Sequence, residues 1–291
     1  MTDAKSSGVA PIDVRQLLER HGIAPKKALG QNFLIDPNVL RRIARTAIRS
    51  NPEVLVEIGP GLGSLTRALA EENVPVVAIE RDARLLPVLR ELFANSQNVS
   101  FVEGDATTAD FAALTLTSPP KPGDSARKPG VVGNLPYSVT TPLLLALLRQ
   151  RDRIGATCVM VQREFANRLV AAVGSDDYGS LTVLFRAVAD VARAFDVSPH
   201  CFRPVPKVTS SVLTIDWLPN PRTSVPLAQL EVATRAAFGQ RRKMMRNSLK
   251  THFSKEAIAR ADICVDLSRR AETLDLSEFE RLAAALSSSR D

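Results

Sequence analysis

Apolar segments of strand length alternate with segments of helical pattern from about residue 37 to residue 215, and this alternation strongly constrains the fold. Near-continuous apolar strands that are separated by helices are typical of a parallel sheet covered on both faces. The sequence therefore predicts an α/β fold. Strands are predicted at 54–58, 76–80, 99–102, 156–161 and over the run that leads to Asn134, and helices at 37–50, 83–93, 141–149, 163–173 and up to Ala70.

Two proline-rich segments interrupt this pattern. Residues 116–130 combine prolines with glycines and are predicted to form a loop inserted before the fourth strand. Pro219, Pro221 and Pro226 mark a linker, after which only helical patterns follow. We therefore expect a disordered tail at 1–20, a sheet-containing domain at 21–218 and a small all-helical domain at 219–291.

The composition argues against several classes of protein. No apolar run approaches the roughly 18 residues of a membrane span, and the first residues lack the apolar core of a secretory signal. The three cysteines and three histidines are widely scattered, which predicts a reducing, cytoplasmic setting without a metal site. No Ser/His/Asp or Cys/His catalytic set is recognisable. The sequence offers no oligomer seam, so a monomer is expected.

The formal net charge is +7, and part of the basic excess is concentrated near the carboxyl end. Each lysine or arginine that contacts a phosphate releases counterions and raises affinity for nucleic acid. A solvated helix end is the alternative for any single member of such a group. The segment 235–255 contains no acidic residue and carries Arg235, Arg241, Arg242, Lys243, Arg246, Lys250 and Lys255.

Glycines and acidic residues follow the first three predicted strands. Gly59, Gly61 and Gly63 come after the first strand, where they admit positive φ and the close approach of a ligand. Glu80 ends the second strand, where a carboxylate can accept hydrogen bonds from ribose hydroxyls, and Asp105 follows the third. The residue after Gly63 is serine, so the spacing departs from that of dinucleotide enzymes. Each feature alone is also compatible with a turn or a solvated strand end.

Asn134-Leu135-Pro136-Tyr137 follows the fourth strand. The Asn134 side-chain carbonyl and a neighbouring backbone carbonyl offer two acceptors to one exocyclic amino group, and Tyr137 offers a ring on which a base can stack. On its own this tetrapeptide would more often be a turn. After the glycine-rich turn and the two acidic residues, it indicates transfer of a group onto the amino nitrogen of adenine. The series resembles the S-adenosylmethionine-dependent methyltransferases that act on amino groups of bases, which implies a Rossmann-like class I fold.

Flanking motifs narrow this resemblance. Over about residues 20–285 the chain resembles the ribosomal RNA adenine N6,N6-dimethyltransferases, and within them the bacterial small-subunit (kasugamycin-sensitivity) branch. The resemblance implies S-adenosylmethionine as methyl donor, two adjacent adenines in the 3′-terminal hairpin loop of small-subunit ribosomal RNA as target, and an immature 30S particle as partner. The motifs are Lys-Ala-Leu-Gly-Gln-Asn-Phe-Leu at 27–34, Gln-Arg-Glu-Phe-Ala-Asn-Arg-Leu at 162–169, Tyr-Gly-Ser-Leu at 178–181, and the segments 202–212 and 238–249.

The same resemblance implies a role for individual residues. The target adenine would be bound by Asn134, Leu135, Pro136 and Tyr137, with Phe202 as an opposing ring. Arginines and a lysine would contact RNA phosphates: Arg241, Arg242, Lys243 and Arg246. The cofactor would be bound by Gln31, Asn32, Leu34, Gly59, Gly61, Glu80, Arg81, Asp105, Ala106 and Asn134.

One residue and one loop depart from the family pattern. Ser138 stands where the family usually has asparagine, and the 116–130 loop is longer than the family leads us to expect. Three alternative functions stay open: a non-catalytic assembly factor of the small subunit, a large-subunit RNA methyltransferase that confers antibiotic resistance, and a DNA adenine methyltransferase.

Overall fold

The computed structural model of the protein describes residues 17, 19–23, 32–115, 128–240 and 243–287. Three predicted site residues, Gln31, Arg241 and Arg242, lie outside the described residues. So do almost all of the predicted tail at 1–20 and most of the predicted loop at 116–130. Within the described residues, no helix is long and apolar enough to cross a membrane.

In the part of the chain that the structure describes, nine strands form two sheets, and the five predicted strands are among them. The strands are β1 (Phe33–Leu34), β2 (Leu55–Ile58), β3 (Val76–Glu80), β4 (Val99–Glu103), β5 (Gly130–Asn134), β6 (Thr157–Gln162), β7 (Ala189–Val197), β8 (Phe202–Arg203) and β9 (Ser210–Trp217). The larger sheet has the order β4-β3-β2-β5-β6-β9-β7. The pairs β2–β3, β3–β4, β2–β5 and β5–β6 are parallel, as predicted.

The order of the strands places three strand ends side by side. β2 pairs with β3 on one side and with β5 on the other, so the carboxyl ends of these three parallel strands meet at one edge. Residue 133 of β5 must be glycine for this pairing, because a Cβ atom there would lie 2.7 Å from the Ile58 carbonyl oxygen. Ligands of open α/β sheets bind at such an edge.

Helices flank the strands as the apolar periodicity predicts. They are α1 (Pro37–Ala47), α2 (Ser64–Ala70), α3 (Leu86–Leu92), α4 (Thr140–Arg149), α5 (Arg163–Val170), α6 (Ser180–Val188), α7 (Leu227–Phe238), α8 (Met245–Leu249), α9 (Lys255–Cys264) and α10 (Leu276–Ser287). Asp36 is the N-cap of α1, as its position before Pro37 predicts: its side chain accepts hydrogen bonds from the backbone nitrogens of Asn38 and Val39.

By packing, the chain divides into two compact units. The first contains residues 1–162 and 194–214, and the second contains 163–193 and 215–291. This division differs from the predicted boundary at residue 218, because α6 packs with the C-terminal helix α7. The predicted boundary of an RNA-binding domain therefore stays a prediction.

Each unit has its own apolar core. In the first unit, a cluster that includes Leu40, Ile43, Leu69 and Phe202 packs beneath the sheet. In the second unit, Phe238 stacks on Phe279 with ring centroids 5.6 Å apart. Phe279, Leu282, Ala283 and Leu286 of α10 are all buried, as their helical spacing predicts.

Candidate active site

A cavity opens at the edge where β2, β3 and β5 end. Its volume is about 160 Å³, and its walls come from four segments of the first unit. They are the strand β1 with the residue before it, the turn after β2, the end of β3, and the turn after β5. The predicted site residues that line it are Asn32, Leu34, Gly59, Gly61, Glu80, Arg81, Asn134, Leu135, Pro136 and Tyr137.

The glycine-rich turn forms the part of the wall that follows β2. Gly59, Gly61 and Gly63 have φ values of +67°, +59° and +80°, a region that L side chains rarely adopt. A Cβ atom on Gly61 would also lie 3.1 Å from the Phe33 ring. The sequence prediction of a turn that requires glycine is confirmed by this geometry.

Glu80 fixes the turn from the neighbouring strand. Its carboxylate accepts hydrogen bonds from the backbone nitrogen of Gly61 at 3.1 Å and of Asp82 at 2.8 Å. Burial raises the pKa of Glu80, and the two backbone donors oppose that rise. Each carboxylate oxygen has a second lone pair, so the side chain retains the capacity to accept from ribose hydroxyls.

Asp105 and Ala106 do not line this cavity. The Asp105 carboxylate accepts hydrogen bonds from the Thr107 backbone nitrogen and hydroxyl, which lower the pKa of Asp105, and it pairs with Arg81 at 3.4 Å. Arg81 lines the cavity, so the pair lies at its margin.

Asn134 ends β5 with its side chain held in one orientation. The amide nitrogen donates a hydrogen bond to the Asn32 carbonyl at 3.3 Å, so the amide oxygen of this cavity-lining residue can serve as an acceptor. The next residue, Leu135, is fully buried and is held by its backbone nitrogen, which donates to the Met160 carbonyl at 3.0 Å. Two oxygens, the Asn134 side-chain oxygen and the Leu135 carbonyl, therefore belong to adjacent, well-anchored residues.

Tyr137 begins a short 3₁₀ helix after Pro136. The Tyr137 hydroxyl hydrogen-bonds to the Ser210 hydroxyl at 3.1 Å, so the ring is anchored at its far end. Ser210 is completely buried at the start of β9. Sequence reasoning assigned no role to Ser210, because nothing in the chain order places it beside Tyr137.

Phe202 does not line this cavity, so its predicted role as an opposing ring stays a prediction. Its side chain is completely buried, and its residue pairs with Leu34 in the two-stranded antiparallel sheet of β1 and β8. The Ile35 nitrogen also donates to the Cys201 carbonyl at 2.8 Å. Phe202 thus holds the segment that carries Asn32 and Leu34 against the core.

Glu57 lines the cavity and was missed by sequence reasoning. It is fully buried in β2, and its Oε2 atom has no hydrogen-bond partner among the described residues. Burial is the largest cause of a pKa raised to about 8. Its position directly before the glycine turn was visible in the sequence, but its burial was not.

The predicted RNA-binding residues belong to the second unit. Lys243 is exposed. Arg246 is half-exposed, and its guanidinium pairs with Asp262 of α9. The structure therefore places the predicted cofactor and target residues that it describes in the first unit, and of the four predicted RNA-binding residues it describes only these two.

The fold is shared with solved methyltransferases. A dimethyladenosine transferase from Plasmodium falciparum superposes with a TM-score of 0.67, covering 86% of this chain and 95% of that chain at 24% identity. The 23S rRNA methyltransferase ErmE superposes with a TM-score of 0.60 at 27% identity, covering 88% of this chain and 99% of that one. The sheet, the glycine turn and the cavity define a class I S-adenosylmethionine-dependent methyltransferase.

Sequence comparison identifies the family within that class. A model of the family "Ribosomal RNA adenine dimethylase" matches residues 23–287. Proteins named "Ribosomal RNA small subunit methyltransferase A" are similar along nearly their whole length: that of Chelativorans sp. is 46% identical, covering 95% of this chain and 98% of the relative, and that of Phenylobacterium zucineum is 42% identical, covering 94% and 92%. This chain belongs to the ribosomal RNA adenine dimethylase family.

Proposed function

We propose that this enzyme dimethylates the N6 amino groups of two adjacent adenines in the 3′-terminal hairpin loop of small-subunit ribosomal RNA, within an immature 30S particle. The observation that carries the proposal is the pair of anchored acceptors at Asn134 and Leu135, beside the Tyr137 ring. The names of the most similar relatives support the small subunit as the source of the RNA.

The acceptor pair supplies the chemistry that an adenine amino group needs. The lone pair of that nitrogen is delocalised into the ring, which makes it a poor nucleophile. Two oxygens that hold its hydrogens favour a pyramidal nitrogen whose lone pair is available. Orientation and electrostatic placement then supply most of the rate enhancement. After one methyl transfer, the remaining hydrogen is still held by one acceptor, which permits a second transfer.

Tyr137 supports the target base from one side. A base must leave its stack to reach the cavity, which costs a few kcal/mol unless a loop already presents it. Stacking on an aromatic ring offsets about 1–3 kcal/mol of that cost. Because the Tyr137 hydroxyl is tied to Ser210, little side-chain entropy is lost when the base arrives.

The cavity residues fit S-adenosylmethionine. Glu57 presents a buried carboxyl atom without a partner among the described residues. A cationic ligand beside it would lower its raised pKa and favour the carboxylate form. The glycine turn leaves room for the close approach of a ligand. When bound, this cofactor supplies an electrophilic methyl group. We assign its ribose to Glu80 and its methionine end to the turn at Gly59 and Gly61.

Five further assignments for the cofactor rest on the cavity wall and its margin. Asn32 and Leu34 would cover the cofactor from β1, and Arg81 with Asp105 and Ala106 would face its adenine. The role of Gln31 in cofactor binding stays a prediction.

The RNA phosphates would contact Lys243 and Arg246, together with the predicted Arg241 and Arg242. We also propose that the protein acts as a monomer in the cytoplasm.

Transfer of a labelled methyl group tests the proposal. Small subunits that lack the modification are incubated with the protein and labelled S-adenosylmethionine, with large subunits and duplex DNA in parallel, and the labelled nucleoside is identified. We expect N6,N6-dimethyladenosine in the small subunit only. Label in large-subunit RNA or in DNA would assign the protein to the corresponding alternative. Binding of small subunits without any label would favour an assembly factor.

A further inference from the structure

Beyond its first turn, the exposed positions of helix α1 are all arginine. Between residues 41 and 49, every exposed position is an arginine, whereas Leu40, Ile43, Ala44 and Ala47 turn inward and are buried. No acidic residue occurs between 37 and 52. We call this surface the α1 arginine face, and its members are Arg41, Arg42, Arg45 and Arg49.

The contacts of Arg41, Arg42 and Arg45 leave most of the charge of these three side chains unneutralised. Arg41 donates to the neutral side-chain oxygen of Asn38 at 2.8 Å. The Arg42 guanidinium lies 3.9 Å from the centre of the Phe195 ring, a contact that keeps the charge and fixes the side chain. Arg45 is 3.9 Å from the Glu72 carboxylate, but its side chain is 76% exposed, and such a surface pair contributes little.

The spacing of the face suits a polyanion. Arg41 and Arg45 are four residues apart in α1, so they lie about 6 Å apart along the helix axis, and Arg49 follows just after the helix ends. An ordinary solvated face would mix lysine and glutamate with arginine. Arginine alone presents a planar fork that matches phosphate oxygens in two-point contacts.

The position of the helix connects this face with the active site. α1 begins at Pro37, only a few residues after Asn32 and Leu34, which line the cavity. Arg41 therefore lies about 6 Å along the axis from the start of the helix, and Arg45 about 12 Å. This end of the helix therefore follows closely in the chain on two residues of the cavity wall, which makes it a candidate contact for RNA backbone that flanks a base in the cavity.

We infer that the α1 arginine face binds phosphates of the substrate RNA beside the target adenines, as an RNA contact separate from the basic segment at 235–255. The inference rests on the proposed function for the identity of the polyanion. According to this inference, the unit that contains the cavity contributes to the affinity for RNA independently of the basic segment. The simpler explanation, favourable interaction of basic side chains with the carboxyl end of the helix dipole, applies to Arg45 and Arg49 but not to Arg41 in mid-helix.

A charge-matched comparison tests the inference. The pair Arg41→Gln and Arg45→Gln is compared with Arg90→Gln and Arg149→Gln, which remove two exposed arginines from the last turns of α3 and α4 in the same unit. Both double variants lose two positive charges. The affinity of each for unmodified small subunits is measured over a range of potassium chloride concentrations at constant magnesium, and melting temperatures control for folding.

We expect the α1 pair to bind small subunits on the order of ten-fold more weakly than the wild type at a fixed salt concentration. Its slope of log K against log salt should fall by about 1.4, because two phosphate contacts at roughly 0.7 each are lost. The Arg90/Arg149 pair should match the wild type. Replacing Arg41 and Arg45 with lysine should restore most of the slope.

Equal behaviour of the two double variants would overturn the inference, whether both weaken or neither does. A lower melting temperature with an unchanged salt slope would also overturn it, since that result belongs to a purely structural role. If the wild-type protein neither binds nor methylates small subunits, the proposed function itself fails. If the wild type does both, failure of the comparison concerns the α1 arginine face alone.

Discussion

At the scale of single residues, the sequence predicted the position of those side chains that lie at the end of a strand. Asn134 and Tyr137 occupy the cavity because β5 ends there. Phe202 and Glu57 show the limit of that reasoning. Whether an aromatic ring stacks on a base or fills a core depends on tertiary packing, and Phe202 is fully buried. For Glu57, the sequence does not show that a carboxyl group within a strand will be buried.

Glu57 should make the stability of the ligand-free protein depend on pH. Its folded pKa of about 8 lies above its ordinary value of 4.5, so the folded state retains a proton that the unfolded chain releases. Stability is therefore greatest below about pH 4.5 for this group and is lost as the pH rises toward 8. Between pH 5.5 and 8 the loss is about 3 kcal/mol.

The substitution Glu57→Gln removes the titrating group and should flatten this pH dependence. Unfolding free energies of the wild type and the variant, measured at pH 5.5 and pH 8, give the comparison. The same pH dependence in both proteins would show that Glu57 is not the group responsible.

Phe202 and Tyr137 should respond differently to the same substitution. Phe202→Leu should lower stability by about 1–3 kcal/mol through lost packing, while kcat changes less than about three-fold. Tyr137→Leu should lower kcat/KM about 10- to 100-fold, because a stacking platform is lost. Melting curves and steady-state methyl transfer on small subunits measure both effects. A large loss of kcat in a folded Phe202→Leu protein would contradict a purely structural role and indicate that Phe202 contacts the target base.

At the scale of elements, hydrophobic pattern predicted the parts of the sheet that are continuous and apolar. Strands β2 to β6 and their intervening helices match the predicted segments to within a few residues. The two-residue strands β1 and β8 could not be predicted, because they exist only through pairing with each other. β7 has alternating exposed positions and borders a buried helix, so its apolar signal is weak.

The backbones of β5 and β2 are so close at residue 133 that a side chain there should destabilise the sheet. Gly133→Ala would place a Cβ atom 2.7 Å from the Ile58 backbone oxygen, which cannot move without shifting β2. We expect a loss of about 1–3 kcal/mol and a drop of several degrees in melting temperature.

Gly104→Ala is the control for this prediction, because its Cβ would meet only the flexible end of the Ile79 side chain, at 3.0 Å. This variant should melt close to the wild type. Similar melting temperatures for the two variants would contradict the proposed tight contact between β5 and β2.

At the scale of the whole molecule, the sequence predicted an α/β part followed by a helical part. It did not show which segments pack together in each compact unit. The segment 163–193 continues the strand–helix alternation along the chain, yet packs with the carboxyl-terminal helices. Local periodicity identifies an apolar helix face and does not identify the helix that will cover it. The same limit applies to charge, since the pairing of Arg246 with Asp262 joins residues from two different helices.

The most direct test of the account is methyl transfer by Asn134 variants at saturating cofactor. Single-turnover transfer to unmodified small subunits is measured for the wild type, Asn134→Ala and Asn134→Asp, and cofactor binding is measured by calorimetry. We predict a loss on the order of 100- to 1000-fold for alanine, and a smaller loss for aspartate, which keeps an acceptor oxygen. An alanine variant that binds the cofactor and retains near-normal turnover would contradict the assignment of Asn134 as the acceptor for the adenine amino group.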